Sequence, residues 1–65
     1  MKWSDLKEGN IYESIGDPSY IPLNIFYLIS KSKDENTHYT KLLFLSKKGI
    51  EKFISNDARE FVCLN

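Results

Sequence analysis

The chain has a single cysteine, Cys63, and a single histidine, His38, among its 65 residues. An intramolecular disulfide is therefore excluded, and so is a zinc site made of the usual Cys and His ligands. Small domains often need such a staple, because ordering the chain costs roughly 1.5 kcal/mol per residue and a domain of this size buries only about 60% of its unfolded surface. The apolar side chains must supply the stability by themselves.

The aromatic residues are the main material for that core. One Trp, four Tyr and four Phe supply large apolar areas at a modest entropic cost. A core this small leaves little volume for the concave, water-excluding site of about 300 Å³ or more that most enzymes use. We therefore expect one non-enzymatic domain spanning residues 1–65, with no cofactor and no metal ion.

The charges are balanced, with nine Lys and Arg against nine Asp and Glu. The chain as a whole therefore has no positive field that would recruit nucleic acid. Its first residues turn polar at once, unlike a signal peptide, and the longest apolar run, residues 25–29, is too short to span a bilayer. Together with the lone cysteine, these features predict a cytoplasmic protein without a membrane segment.

The first third of the chain is predicted to form a turn, a strand and a loop. Trp3 and Leu6 are three residues apart and share one face of a helical turn, which the Gly9-Asn10 pair then ends. Residues 11–15 are predicted to form a short strand. Residues 16–22 hold one glycine and both prolines, which indicates an irregular loop.

The middle of the chain predicts a long hairpin. Residues 24–31 give the strongest strand signal, and apolar residues on both of its faces indicate a central strand covered on both sides. Residues 31–37 are polar and rich in turn formers, so they are predicted to form the hairpin loop. The second arm is expected from about residue 38 to residue 46.

In the segment after the hairpin, the apolar residues no longer alternate as in a strand. Ile50, Phe53 and Ile54 follow the i, i+3, i+4 spacing of a helix stripe, and Ser46 is a suitable N-cap. This predicts a short helix over residues 46–54. In the alternative interpretation, Lys48-Gly49 forms a turn and the helix begins at Ile50. A last strand is expected over residues 59–64.

These elements predict a mainly β fold (α+β with one short helix). The expected architecture is a small, strongly bent antiparallel sheet or an SH3-like barrel of about four to five strands. The opening pattern of Trp3, Leu6-Lys7, Gly9 and Tyr12 resembles the entry to the first strand in SH3-like and KOW-type domains. The resemblance covers about ten residues and implies a barrel-like fold, without implying a function.

No catalytic set emerges from the remaining residues. The three glycines are scattered and do not form a phosphate loop. Cys63 lies at the end of an apolar strand, so we interpret it as a small core or edge residue. His38 is interpreted as an ordinary surface residue. The segment Asp34-Glu35-Asn36 lacks the alternating oxygen ligands of a calcium loop and reads as a solvated hairpin tip.

A protein-interaction module is therefore the leading interpretation. Tyrosines are amphipathic anchors at interfaces, and the candidate contact residues are Tyr12, Tyr20, Ile21, Tyr27 and Tyr39. An exposed strand edge would also accept a strand from a partner or from a second copy in a homodimer. Domains this short are frequent among phage and mobile-element products that modulate a host protein, so we expect a host protein as the partner.

The alternative function is binding of single-stranded nucleic acid by a small β-barrel. Tyrosines interleaved with lysines form the stacking and electrostatic platform that such binding needs. The acids Asp34, Glu35 and Glu51 interrupt this basic region. The candidate contacts are the six lysines of the second half: Lys31, Lys33, Lys41, Lys47, Lys48 and Lys52.

Overall fold

The computed structural model of the chain describes residues 1–15, 24–56 and 58–65. A 3-10 turn, Trp3–Asp5, precedes five strands: β1 (Ile11–Ile15), β2 (Asn24–Lys33), β3 (Thr40–Ser46), β4 (Gly49–Ser55) and β5 (Glu60–Cys63). The strands form one antiparallel sheet in the order β4-β3-β2-β1-β5. The predicted mainly β class and the five-stranded sheet are confirmed. Within the described ranges, no helix has the length and apolar character needed to cross a bilayer.

The hairpin of β2 and β3 forms where the sequence predicts it, with a shorter loop. Its register runs from Tyr27 opposite Leu45 to Lys33 opposite Thr40, with a shift after Leu28. Asp34 organises the connection, because its carboxylate accepts hydrogen bonds from the Thr37 amide at 2.9 Å and from the Thr37 hydroxyl at 2.8 Å. These two bonds lower the pKa of Asp34 below its ordinary value.

The predicted helix over residues 46–54 is wrong, because this segment forms strand β4. Lys47-Lys48 make a two-residue turn, Ser46 then pairs with Gly49, and β4 continues along β3 as far as Ser55. Gly49 has a φ of 106°, which a side chain adopts only at a cost. Adjacent residues of a strand point to opposite faces, so Phe53 packs against the core while Ile54 lies outside. The apparent helical stripe is thus divided between two faces.

The expectation that β2 is covered on both sides is also wrong. β2 is central, between β1 and β3, yet only its inner face is covered by described residues. Phe26 and Leu28 are buried there, whereas Ile25 and Tyr27 on the outer face are exposed. A single-layer sheet buries one face only, so an apolar pattern on both faces of a strand does not require two covering layers.

The core lies on the inner face and is closed by Trp3. The ring of Trp3 stacks on Phe53 of β4 at 5.9 Å and meets Phe61 of β5 edge-on at 5.0 Å. β4 and β5 are the two edges of the sheet and do not pair with each other in the described chain, so the barrel is not closed by backbone hydrogen bonds. One indole side chain bridges the two edges instead, which requires a strongly bent sheet.

The N-terminal residues are fixed to the outer edge of β5. The backbone of Met1 donates to the carbonyl of Phe61 at 3.1 Å and accepts from the Phe61 amide at 2.9 Å. Next to this pair, Lys2 Nζ lies 2.7 Å from Glu60 Oε1. The bond from Lys2, together with the positive charges of Lys2 and the N-terminus, lowers the pKa of Glu60. These contacts place Trp3 over the gap in the sheet.

Candidate functional site

A row of exposed apolar side chains crosses four strands on the outer face of the sheet and reaches the residue that follows the fifth. The register places Ile11 opposite Tyr27, Tyr27 opposite Leu45, and Leu45 opposite Ile50. Leu64 extends the row beyond β1, since its amide donates to the carbonyl of Ile11 at 2.8 Å. We call these five residues, Leu64, Ile11, Tyr27, Leu45 and Ile50, the outer row.

Two further apolar side chains widen the outer row on one side. Ile25 lies two residues before Tyr27 on β2, and Val62 lies two residues before Leu64, so both share the outer face. The seven side chains are between 39% and 68% exposed. At roughly 200 Å² for a large side chain when fully exposed, they present on the order of 700 Å² to solvent. The largest apolar patch on a typical monomer is about 300–600 Å².

The structure divides the five residues predicted to contact a partner. Tyr27 lies at the centre of the outer row. Tyr39 is exposed in the connection between β2 and β3, six residues from Leu45 and thus about 20 Å away along an extended chain. Tyr20 and Ile21 lie outside the described residues.

Tyr12 belongs to the core and not to an interaction surface, which corrects the prediction for this residue. Its position opposite Phe26 and Cys63 turns it to the inner face, where it is fully buried. Its hydroxyl accepts hydrogen bonds from the Lys7 amide at 2.8 Å and from Asn10 Nδ2 at 3.2 Å. The buried phenol thereby provides a hydrogen-bond acceptor for two donors of the segment that leads into β1.

The six candidate lysines do not gather into one surface. Lys33 of β2 and Lys41 of β3 lie at the hairpin end of their strands, and the Lys47-Lys48 turn lies at the other end of β3, about 20 Å away. Lys52 lies opposite Leu43 on the outer face of β4. The sixth, Lys31, donates its ammonium group to the carbonyl of Ser4 at 3.1 Å. Nucleic-acid binding stays a prediction.

On the inner face, the gap between β4 and β5 opens into a cleft of about 220 Å³. Its walls are largely aromatic, formed by Trp3, Phe26, Leu42, Phe44, Phe53 and Phe61. The cleft is smaller than the 300–1,000 Å³ typical of drug-sized ligands. At about 30 Å³ per water molecule, it has the volume of roughly seven waters.

Two buried polar side chains also line this cleft. The Arg59 guanidinium lies 4.6 Å from the centre of the Phe53 ring and 5.6 Å from that of Trp3, a cation–π arrangement. Ser14 is 2% exposed, and its hydroxyl has no hydrogen-bond partner in the part of the chain that the structure describes. Sequence reasoning missed both residues; the only usable signal was that Arg59 is the sole arginine of an otherwise lysine-based chain.

The residues considered for catalysis or metal binding do not converge. His38 is exposed in the hairpin connection with a φ of 63°, and Cys63 is half-buried on β5, beside the core. Among residues 1–15, 24–56 and 58–65, no three His, Cys, Asp or Glu side chains form a group that could hold a metal ion.

Comparison with known proteins provides no relative for this chain. No family model, no curated protein and no solved structure matches it significantly.

Proposed function

We propose that the chain is a non-enzymatic protein-binding domain whose contact surface is the outer row with Ile25 and Val62. The observation that carries the proposal is the exposure of seven apolar side chains on one face of the sheet, five of them in adjacent register positions. Exposed apolar surface has a free-energy cost in water, of roughly 25 cal/mol per Å². A partner that covers this surface recovers that free energy.

The size and composition of the surface suit a protein partner. Its area of about 700 Å² approaches the roughly 800 Å² that each partner contributes to a standard protein interface. Tyr27 occupies its centre, and tyrosine is enriched among the residues that dominate binding energy. The expectation that the partner is a host protein, bound by a phage or mobile-element product, rests on how often such short domains occur there and stays a prediction.

Two tyrosines of similar exposure provide the test, because Tyr27 is 42% and Tyr39 is 46% exposed. Tyr27→Lys places a charge at the centre of the outer row, and Tyr39→Lys places the same charge about 20 Å away. Each variant is immobilised and incubated with a lysate of the host cells, and the captured proteins are quantified by mass spectrometry. Circular dichroism confirms that both variants keep the fold.

We expect Tyr39→Lys to capture the same partner as the wild type and Tyr27→Lys to capture at least tenfold less. Sedimentation measurements on the same three proteins detect a partner that is a second copy, in which case Tyr27→Lys alone becomes monomeric. Equal capture by all three, with all three monomeric, would refute the proposed surface.

A further inference from the structure

We propose that the free edge of β4 binds an extended strand of the partner protein, with an acidic residue opposite Lys52 and apolar residues opposite Ile50 and Ile54. This docking mode rests on the proposed function, because it takes the partner to be a protein, and it specifies the segment that the partner contributes. β4 is one of the two edges of the sheet and lies at the end of the outer row. The other edge is partly covered, since the backbone of Met1 pairs with Phe61 of β5.

The backbone of β4 presents a regular set of hydrogen-bonding groups at this edge. Ser46 and Gly49 flank a two-residue turn and so form a hydrogen-bonded pair of the β3–β4 ladder. Hydrogen-bonded and non-hydrogen-bonded pairs alternate along an antiparallel ladder, which leaves Ile50, Lys52 and Ile54 in non-hydrogen-bonded positions. Their N–H and C=O groups therefore point away from β3. No strand of the described chain pairs with this side of β4.

β4 has few of the features that keep an edge strand from pairing with another chain. Exposed edges are commonly shortened, or interrupted by proline or by a β-bulge. β4 spans seven residues, contains no proline, and pairs with β3 without a register shift. An added antiparallel strand, the orientation found throughout this sheet, can bond to all the outward N–H and C=O groups at once.

Lys52 sets the charge of the strand that fits this edge. It is the central residue of β4, it is exposed, and neither ion pair among the described residues involves it. Its cross-strand neighbour is Leu43 and a diagonal neighbour is Lys41, so no acid of β3 balances its charge on the outer face. Glu51 faces the other side and accepts a hydrogen bond from Ser46 Oγ at 3.1 Å. An acidic residue opposite Lys52 supplies the missing charge.

The same lysine disfavours a second copy of the chain as the occupant. Two β4 strands that are aligned antiparallel over their full length place Lys52 opposite Lys52, and like charges directly opposite each other destabilise a strand pair. Apolar residues two positions on either side of the acid cover Ile50 and Ile54, which are 68% and 45% exposed. The strand that fits therefore alternates apolar, acidic and apolar residues along one face, and it continues the outer row beyond Ile50.

The probe is a synthetic peptide of sequence Thr-Val-Thr-Glu-Thr-Val-Thr, blocked at both termini. One control peptide carries Lys in place of Glu, and a second is N-methylated at both valines. NMR shifts and hydrogen exchange of the β4 amides follow binding. We expect the Glu peptide to bind with a Kd on the order of 1 mM. It is expected to protect the amides of Ile50, Lys52 and Ile54 from exchange, whereas those of Glu51 and Phe53 are protected already in the free chain by their bonds to β3.

Lys52→Glu is expected to exchange the preference between the two charged peptides. The wild type should bind the Glu peptide about fivefold more tightly than the Lys peptide, and the variant should show the reverse. The N-methylated peptide should bind at least tenfold more weakly, because it loses two backbone donors. Tyr27→Lys should bind the Glu peptide as the wild type does, since β2 lies two strands away from this edge. Circular dichroism confirms that both variants keep the fold.

Three peptide results would each overturn the proposed docking edge: no saturable shift at about ten times the expected Kd, equal affinity of the wild type for the Glu and Lys peptides, or undiminished binding of the N-methylated peptide. A dimer in sedimentation, with the outward amides of β4 protected before peptide is added, would also overturn it, because a second copy would then occupy the edge. The two proposals fail separately. Partner capture that Tyr27→Lys abolishes, without peptide binding, supports the outer row alone.

Discussion

The turn before β4 gives the sharpest test of the fold, because the strand and the predicted helix require opposite outcomes from one substitution. Gly49 has a φ of 106°, and a Cβ added there would meet no atom within 4 Å. The cost of Gly49→Ala is therefore set by the backbone conformation alone. For an L-residue in the left-handed region this cost is about 1–2 kcal/mol.

If residues 46–54 formed a helix, Gly49→Ala would change the stability of the fold in the opposite direction. Alanine in place of a glycine inside a helix stabilises the fold by about 1 kcal/mol. The two interpretations thus differ by roughly 2–3 kcal/mol, against a total stability of about 3–10 kcal/mol expected for a chain of this length. The difference is large enough to be measured in a small domain.

Urea unfolding followed by far-UV circular dichroism measures the change. With an m-value near 1 kcal/mol/M for a domain of this size, Gly49→Ala is expected to lower the unfolding midpoint by about 1–2 M. Gly49→Asn is the control, because asparagine tolerates positive φ better than alanine and its loss should be smaller. A higher midpoint for Gly49→Ala would contradict the strand and the turn that precedes it.

Three further substitutions test the core and the N-terminal contacts. Trp3→Ala removes the bridge between the two sheet edges, so we expect a loss of about 3–5 kcal/mol, near-complete unfolding by circular dichroism, and a milder loss for Trp3→Phe. Tyr12→Phe removes the part-buried hydrogen bond that the Lys7 amide donates to the Tyr12 hydroxyl, and it should lower the free energy of unfolding in urea by about 1–2 kcal/mol; no change would mean that water replaces the hydroxyl. Because Lys2 depresses the pKa of Glu60 in the folded state, the stabilisation by this carboxylate is present above its ordinary value of 4.5 and is lost as the pH falls below it. The Tm, measured from pH 7 to pH 3, should therefore fall less steeply in Glu60→Gln than in the wild type. Identical Tm profiles in the two proteins would count against this ion pair.

Local signals in the sequence were enough to predict most strands of the fold. Both Gly9-Asn10 and the polar stretch around Asp34 mark turns through their backbone preferences, and the apolar runs between them have the length of strands. The absence of disulfide and zinc ligands likewise follows from residue counts alone. These properties depend on near neighbours in the chain, which are visible without coordinates.

The choice between helix and strand for residues 49–55 was decided by tertiary structure. The spacing of Ile50, Phe53 and Ile54 fits a helix locally, but β3 offers an edge with seven pairing positions, and a strand fills it. A hydrogen-bonded partner at a distance in the sequence outweighs a weak local period, particularly beside a glycine that disfavours a helix.

The candidate sites show the same division. The sequence by itself determined that this chain must be stabilised by apolar packing and that tyrosines would be available for contacts, because composition fixes which side chains exist. Only the sheet register decided that Tyr12 is buried and Tyr27 exposed, since alternate residues of a strand face opposite sides and the covered side depends on distant packing. The outer row joins residues from separate strands, and the cleft brings together Ser14 and Arg59, which are distant in the sequence. No local pattern shows which strands become neighbours.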